Sequence, residues 1–120
     1  MLLAADKDAF TFEVYEDKAK EFRWRLKQGD DILGTAGQGY KEKSSAKKAI
    51  ESIKKGLEND KDKFEVYEDK GKEYRWRLKA ANGQIVAASN KAYKDKADCD
   101  KVVDMIKKGV PKAEVVEEKK

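Results

Sequence analysis

The side chains that most often perform catalysis are scarce in this sequence. There is no histidine, which removes the usual general base near neutral pH and the commonest metal ligand. The single cysteine, Cys99, lies on an apolar helical stripe with Val103 and Ile106. A nucleophilic thiol requires an exposed, electropositive setting, so we predict that Cys99 is buried and serves packing.

Two sets of acidic residues are the remaining candidates for acid–base chemistry or for binding a hard cation. They are Glu13, Glu16, Asp17 and Glu21 in the first half of the chain and Glu65, Glu68, Asp69 and Glu73 in the second. Each is expected to lie opposite or beside a lysine or arginine. A carboxylate paired in this way has a lowered pKa, which suits general acid catalysis poorly. We therefore predict that these carboxylates form cross-strand ion pairs.

The glycine-rich stretch Gly34–Gly39 resembles a phosphate-binding loop only in composition. The last glycine, Gly39, is not followed directly by the Lys-Ser or Lys-Thr with which such a loop leads into its helix, and a related later segment has Ala87, Asn90 and Ala92 in place of the three glycines. We predict a mobile loop here. No catalytic, metal-binding or cofactor-binding residue is predicted, no cofactor is expected, and we expect that the chain is not an enzyme.

Basic and aromatic side chains form the one set that could recognise a partner. The candidate residues are Tyr15, Arg23, Arg25, Lys27, Tyr67, Arg75, Arg77 and Lys79, with Leu33 and Val86 expected nearby. Flat sheets that carry aromatic and basic residues stack single-stranded nucleic acid in several protein modules. Here Glu13, Glu21, Glu65 and Glu73 share the predicted face, and Phe12–Lys27 holds five bases and four acids.

Three interpretations of this face follow. It is a solvated sheet laced with ion pairs, a surface that docks a protein partner or a second copy of the chain, or a weak nucleic-acid binding surface. We predict a small, non-catalytic binding or interaction module that recognises a protein partner or itself. Weak nucleic-acid binding is the alternative, and an enzyme of unknown type comes third.

Composition sets the compartment that we expect. The 28 basic and 24 acidic residues leave a formal net charge of +4, and the two signs alternate along the chain rather than forming one basic face. A single cysteine fits a reducing compartment. No apolar segment approaches the length of a membrane span, and the Met-Leu-Leu-Ala-Ala start lacks the basic residues of a signal peptide. We expect a soluble cytoplasmic protein with no membrane partner.

The candidate residues are positioned by a stretch that the chain uses twice. Phe12–Lys27 and Phe64–Lys79 are identical at 14 of 16 positions, which is the sequence signature of an internal repeat. Apolar and charged residues alternate along both copies, a period that predicts half-buried antiparallel strands. Trp24 and Trp76 are predicted to face the interior, while the arginines face solvent.

Counting from the turn predicts the register of each hairpin. The loop Asp69–Gly71, with Gly71 in the left-handed conformation, pairs Phe64 with Trp76, Glu65 with Arg75, and Val66 with Tyr74. The first copy has Ala19 in place of Gly71. An alanine forced into the left-handed conformation should cost roughly 1 kcal/mol, so the first hairpin is predicted to be the less stable one.

A third strand follows in each copy. Asn82-Gly83 is a strong signal for a two-residue turn between Trp76–Ala80 and Ile85–Ser89. This turn places Leu78 opposite Ala87 and continues the apolar face through Ile85. The first copy is one residue shorter at Gln28–Asp31, and its turn type stays open.

Two helices are predicted after the loop residues Tyr40 and Tyr93, at about Lys43–Lys55 and Lys96–Lys108. Apolar residues recur along both at intervals of three and four. Gly56 and Gly109 stand where helix C-caps favour glycine, and Asp95 with Asp98 resembles a capping box.

The domain organisation that follows is a disordered leader at 1–10, repeat 1 at 11–56, a linker at 57–62, repeat 2 at 63–116 and a charged tail at 117–120. Neither repeat buries its apolar face well alone. We predict an α+β fold in which two tandem β-β-β-α repeats form one antiparallel sheet of about six strands. Both helices pack on one face, and an approximate two-fold axis relates the halves. Ala113–Val116 is either an edge strand or a flexible tail.

The combination of motifs resembles the YegP-like proteins, a family of unknown function. The resemblance rests on Phe64-Glu65, Tyr74–Lys79, Asn82-Gly83 and Tyr93–Lys96, mirrored by Tyr40–Lys43, and covers roughly residues 11–116. It implies a β-β-β-α repeat that pairs with its copy in one sheet, either in tandem or as a dimer of single-repeat chains. It implies no activity, cofactor or catalytic residue.

Overall fold

The computed structural model describes residues 9–118 of the chain. Within these residues, seven strands and two helices follow one another in the order β-β-β-α-β-β-β-α-β. The strands are β1 (Phe10–Glu16), β2 (Phe22–Gln28), β3 (Asp31–Ala36), β4 (Lys63–Glu68), β5 (Tyr74–Lys79), β6 (Ile85–Ser89) and β7 (Glu114–Glu117). The helices are α1 (Lys43–Glu58) and α2 (Lys96–Gly109), and a short 3-10 turn at Val110–Lys112 follows α2.

All seven strands belong to one sheet, in the order β4-β5-β6-β3-β2-β1-β7. The prediction of an antiparallel sheet of about six strands was wrong in count and in direction, because β7 pairs parallel to β1 and makes the sheet mixed. A four-residue strand is too short for its alternation of apolar and polar residues to predict it. Of the two alternatives for Ala113–Val116, the edge strand is confirmed, one residue later than predicted.

The core lies between one face of the sheet and both helices. Trp24 and Trp76 are each 1% exposed, and they share a single cluster of buried apolar side chains with the stripes of both helices. Each tryptophan meets a phenylalanine edge-on, with ring centroids 5.1 Å apart for Phe12–Trp24 and 5.5 Å for Phe64–Trp76. The predicted inward orientation of both tryptophans is confirmed.

The hairpin registers differ from the prediction by two residues. Val66 pairs with Trp76 and Glu65 with Arg77, because the turn begins one residue later than predicted and its loop is Lys70–Lys72. A shift of two keeps every side chain on its predicted face. The left-handed residues are Lys20 (φ 67°) and Lys72 (φ 65°). Ala19 is therefore free of the predicted strain.

Lys72→Gly is expected to stabilise the fold by about 1 kcal/mol, since a side chain in the left-handed region costs 1–2 kcal/mol and glycine returns part of that gain as chain entropy. Urea unfolding measures the difference. Gly71→Ala is the control, because Gly71 does not have a positive φ and its substitution should not destabilise the fold. A stabilising effect of Gly71→Ala larger than that of Lys72→Gly would contradict this assignment.

The turns into the third strands also differ from expectation. Gly83 (φ 88°) ends a three-residue turn, in which the Ala80 amide donates to the Gln84 carbonyl. A register shift then pairs Lys79 with Ile85, although Leu78 still pairs with Ala87 as predicted. Ile85 therefore lies on the outer face. A bulge turns its neighbour Val86 toward the core.

A matching shift occurs in β3, where Lys27 pairs with Ile32 and Leu33 is 3% exposed within the core. Leu33 and Val86 consequently do not border the candidate residues as predicted. Ile32 and Ile85 take that place. Gly29 (φ 60°) leads the two-residue turn between β2 and β3, the arrangement typical of a type II′ turn.

The glycine-rich stretch begins inside the sheet rather than in a mobile loop. Gly34 lies in β3, and a Cβ added to it would stand 2.6 Å from Cη2 of Trp76. Close approach of the indole thus requires glycine at this position. Farther along, the Gly37 amide donates to the Val86 carbonyl at 3.1 Å.

Both helices begin at their predicted residues but end differently. Helix α1 passes through Gly56 and ends at Glu58, with Asn59 as its C-cap, so Gly56 is not a capping glycine. Its Cβ would collide with the carboxylate of Asp62. No side-chain cap joins Asp95 to the first turn of α2. The predicted capping box was therefore wrong, although Asp98 still lies in the first turn, where a negative charge is favourable.

The chain ends are partly outside the described residues. Of the predicted leader at 1–10, only Ala9 and Phe10 are described, and Phe10 is the first residue of β1 and packs in the core. Of the predicted tail at 117–120, Glu117 is the last residue of β7. Within residues 9–118, no helix is long and apolar enough to cross a membrane.

Candidate interaction face

The eight candidate residues lie on the face of the sheet opposite the helices, which we call the outer face. Strand parity places them there, because Glu13 pairs with Arg25 while the neighbouring Val14 pairs with the buried Trp24. All eight side chains are half-buried rather than fully exposed. They form two groups, one on β1 and β2 and the other on β4 and β5.

The first group is centred on Arg25. Its Nε donates to Glu13 Oε1 at 2.6 Å, and its Nη2 donates to Glu118 Oε2 at 2.8 Å. The guanidinium carbon also lies 4.2 Å from the centroid of the Tyr15 ring, within cation–π range. Lys27 Nζ is 3.9 Å from Glu13 Oε1. Arg25 is thus held by two carboxylates and an aromatic ring.

The second group repeats this arrangement around Arg77. Its Nε donates to Glu65 Oε1 at 2.8 Å, and its guanidinium carbon lies 4.7 Å from the Tyr67 ring centroid. Lys79 Nζ is 3.0 Å from Glu65 Oε2. These two cations hold the pKa of Glu65 below its ordinary value. The Arg77 side chain is 42% exposed, against 23% for Arg25.

Asp17 and Asp69 organise the turns beside these groups. Asp69 Oδ1 accepts hydrogen bonds from the Gly71 and Glu73 amides, and its Oδ2 accepts from Arg75 Nε at 2.9 Å. Asp17 does the same with the Ala19 and Glu21 amides and Arg23. Backbone amides first, and then the arginines, hold the pKa of both carboxylates below their ordinary values.

This arrangement holds the carboxylates of the outer face in ion pairs. The predicted ion pairs are confirmed for Glu13, Asp17, Glu65 and Asp69, although their arginine partners follow the shifted register. A carboxylate held ionised by amides and arginines is a poor general acid. Within residues 9–118, no cluster of three or more histidine, cysteine, aspartate or glutamate side chains could hold a metal ion.

A second charged cluster, on the helix side of β7, escaped the sequence prediction. Glu117 accepts hydrogen bonds from Lys43 and Lys47 of α1, the former at 2.9 Å. Lys47 first, and then Lys43, lower the pKa of Glu117 to about 2. Lys54 Nζ donates to the Ala113 carbonyl at 2.9 Å. Together these lysines bind β7 to α1. No local pattern in the sequence predicts this role.

Stability should therefore fall in acid, and Glu117→Gln should make the fall less steep. A carboxylate with a lowered pKa in the folded state contributes its full stabilisation above its ordinary value of 4.5, and the contribution disappears as the pH falls toward 2. Melting temperatures measured between pH 6 and pH 2 test this. Glu68→Gln, at an exposed site on β4, is the control and should retain the wild-type slope. Equal slopes for wild type and Glu117→Gln would refute the effect.

The two remaining reactive groups are buried. Cys99 is fully buried, as predicted, and burial raises the pKa of its thiol, which disfavours the nucleophilic thiolate. Burial likewise raises the pKa of Tyr93. These residues serve the interior of the protein.

An open groove of about 680 Å³ lies where β1 begins and α2 ends. Its lining includes Phe10, Met105, Lys108, Lys112 and Glu114. Among the described residues that line it, Glu114 supplies the one carboxylate, and there is no cysteine or histidine. We assign no chemistry to this groove.

Architecture and outer face together define a small α+β domain whose mixed sheet is covered by helices on one side and by ion pairs on the other. The chain belongs to the family described as domain of unknown function DUF1508, whose model matches residues 17–60 and 69–117. The predicted resemblance to the YegP-like proteins is confirmed. The family is uncharacterised, and its function is unknown.

Relatives and solved structures agree with this membership. A UPF0339 protein from the 5′ region of the ptx operon of Stutzerimonas stutzeri is 39% identical over 107 residues, 89% of this chain and 95% of that protein. The UPF0339 protein Atu0232 of Agrobacterium fabrum is 48% identical over 44 residues, 37% of this chain and 71% of its own.

Two solution NMR structures share the fold with a TM-score of 0.77 each. The UPF0339 protein SO3888 of Shewanella oneidensis is 22% identical and is matched over 91% of both chains. The protein of unknown function yegP from E. coli is 25% identical, with 92% of this chain and 93% of that chain matched.

Proposed function

We propose that the protein is a non-catalytic interaction module that docks a protein partner, or a second copy of itself, on its outer face. The observation that carries the proposal is the pair of arginine–tyrosine stacks, Arg25 on Tyr15 at 4.2 Å and Arg77 on Tyr67 at 4.7 Å. Arginine and tyrosine are enriched at the energetic centres of protein interfaces. Stacking fixes their side chains before binding, which lowers the entropy cost of association.

Charge pairing favours a protein over a polyanion as the partner. Each arginine on the outer face already contacts a carboxylate, at distances of 2.6–2.9 Å. A phosphate backbone would meet Glu13, Glu65, Asp17 and Asp69 beside every guanidinium. A protein surface with its own mixed charges can instead extend these pairs. Weak nucleic-acid binding is the alternative, supported by basic and aromatic side chains on one flat sheet.

A salt titration separates the two candidates. Tagged full-length protein is used to capture partners from cell extract, with and without nuclease, and the captured complexes are then washed at rising salt. A protein partner should survive nuclease and depend weakly on salt. Nucleic-acid binding should weaken steeply with salt, and Arg25→Gln/Arg77→Gln should reduce that slope.

A control variant with the same change in net charge separates the loss of the two arginines from the loss of two positive charges. Lys48→Gln/Lys101→Gln removes the same two charges at exposed positions of α1 and α2, away from the outer face. Docking on the outer face predicts that the arginine pair weakens capture and the lysine pair does not. If both double variants bind as wild type does, the outer face is not the docking surface.

The absence of catalytic activity and the cytoplasmic location are part of the same proposal. Paired carboxylates, a buried thiol and the lack of histidine support a non-catalytic role. A single buried cysteine fits a reducing compartment. Reproducible turnover of a small molecule that is lost in Glu13→Gln or Glu65→Gln would argue for an enzyme instead.

We also infer that the sheet consists of two β-β-β-α units related by an approximate two-fold axis between β3 and β6. Matching pairs in the two halves support this, including Val14 with Trp24 and Val66 with Trp76. Bridges from Tyr40 to Phe22 and from Tyr93 to Tyr74 match as well. Superposition of residues 10–58 on 63–109 in an experimentally determined structure tests the axis. Failure of the strands to coincide would exclude it.

A further inference from the structure

Strands β1 and β4 have nearly the same sequence but different neighbours. β1 lies between β2 and β7, whereas among residues 9–118 β4 pairs only with β5 and forms an edge of the sheet. Phe12 and Val14 of β1 are 1% and 2% exposed. Their counterparts Phe64 and Val66 remain half-buried. Because the side chains are identical, their difference in exposure indicates the apolar surface that β7 covers on β1. The corresponding surface of β4 stays accessible to solvent.

Strand β7, which covers β1, resembles the repeated strand β4 in sequence. Lys112–Glu118 reads KAEVVEE and Lys63–Asp69 reads KFEVYED, identical at 4 of 7 positions. Val115 of β7 pairs with Phe12 and Val116 pairs with Glu13, both in parallel. The edge of a strand with this sequence therefore accepts a short parallel strand, even with a glutamate beside it. The charge of Glu65, the counterpart of Glu13, is consequently no bar to strand addition at β4.

On the outer face, Arg77 is the counterpart of an arginine that already binds the added strand. Arg25 Nη2 donates to Glu118, just beyond β7, at 2.8 Å. Within residues 9–118 the only carboxylate paired with Arg77 is Glu65. The Arg77 side chain is 42% exposed, so its guanidinium can bind a second carboxylate. A strand added to β4 would bring a carboxylate to Arg77 if it carried an acidic residue at the position equivalent to Glu118.

On the helix side, the two halves differ in charge. Lys43 and Lys47 of α1 bind Glu117. Their counterparts on α2 are Lys96 and Asp100, which pair with each other at 3.1 Å. A glutamate at the position of Glu117 would face Asp100 and a lysine that is already engaged. A neutral or basic residue fits this position better.

We propose that the β4 edge binds an extended segment of a partner protein as an added parallel strand, as β7 binds β1. The segment carries an aliphatic residue opposite Phe64, a neutral or basic residue two positions later and an acidic residue directly after that. Backbone pairing supplies the affinity and the side chains on either face supply the selectivity. This site shares Arg77 with the outer face but does not involve Arg25, so weaker binding in Arg25→Gln alone belongs to outer-face docking and the two proposals can fail independently.

A peptide titration of the full-length protein tests the proposal. The probe has the sequence of residues 113–118 with Glu117→Lys, Ala-Glu-Val-Val-Lys-Glu, and is followed by NMR of the ¹⁵N-labelled chain. Amide shifts should be concentrated in Phe64–Tyr67 and at Arg77. The unsubstituted peptide, with glutamate at that position, should bind about fivefold more weakly, the size of one exposed ion pair.

The repeat provides a matched control for the protein side. Arg77→Gln should weaken binding of the probe about fivefold, whereas Arg25→Gln, the same substitution in the covered half, should leave it unchanged. Melting temperatures of both variants check that they are folded. Shifts confined to β1 and β7, equal weakening by both variants, or no binding would each overturn the proposal. Concentration-dependent shifts of the β4 amides without peptide would assign the edge to a second copy of the chain, which also overturns it.

Discussion

Replacement of either tryptophan by alanine is expected to destabilise the whole protein by about 4 kcal/mol, the usual cost of deleting a large buried aromatic side chain. Trp24 and Trp76 are both 1% exposed and belong to one apolar cluster. Each also contacts a phenylalanine edge-on. Since small domains are stable by only 5–15 kcal/mol, either variant should lose a large part of its stability.

The measurement uses the tryptophan that remains. In Trp24→Ala the fluorescence of Trp76 reports one half of the sheet, while circular dichroism reports both helices. A shared core requires the two signals to change together in urea. Tyr67→Ala is the control, because this aromatic lies on the outer face and its loss should cost far less than that of a tryptophan.

Two separate transitions in either tryptophan variant would show that the halves unfold independently. A loss below about 1 kcal/mol, the scale of ordinary surface substitutions, would show that the indole is not an essential part of the core. The reciprocal experiment on Trp76→Ala, observed through Trp24, must give the same answer if one interior serves both halves.

The faces of the strands could be predicted from the sequence because they depend only on parity. Alternation along Phe64–Lys79 assigns Trp76 inward and Arg77 outward whatever the register, and the structure agrees. Register depends on the turn, which places Lys72 rather than Gly71 in the left-handed conformation. Glycine is the usual occupant of that conformation, so composition pointed one residue too early.

Parity failed only where a bulge interrupts it. The register shift between Leu78 and Lys79 moves Ile85 to the outer face. No residue type predicts such a bulge reliably. The eight candidate residues do lie on one face of the sheet, but the predicted set of their ion-pair partners was incomplete. Glu118 reaches Arg25 across 93 residues of sequence, a pairing that only the docking of β7 creates.

Removal of β7 is expected to have the second large effect. A chain that ends after Lys112 should lose about 3 kcal/mol, because deletion removes the buried Ala113 and the packing of Val115 and exposes Phe12 and Val14. The ion pairs of Glu117 with α1 and of Glu118 with Arg25 disappear as well. Urea unfolding of the truncated chain measures the loss. A chain that ends after Glu118 is the control and should match the full-length protein.

The truncation also tests the comparison between the two sheet edges. Without β7, the β1 edge should acquire the character of β4, with Phe12 and Val14 as exposed as Phe64 and Val66 are now. Hydrogen exchange of the β1 amides should then rise to the level of the β4 amides, because exchange follows the local free energy of opening. If stability and exchange are unchanged, the short parallel strand adds nothing to the edge that it covers. The uncovered edge of β4 would then have no reason to bind one.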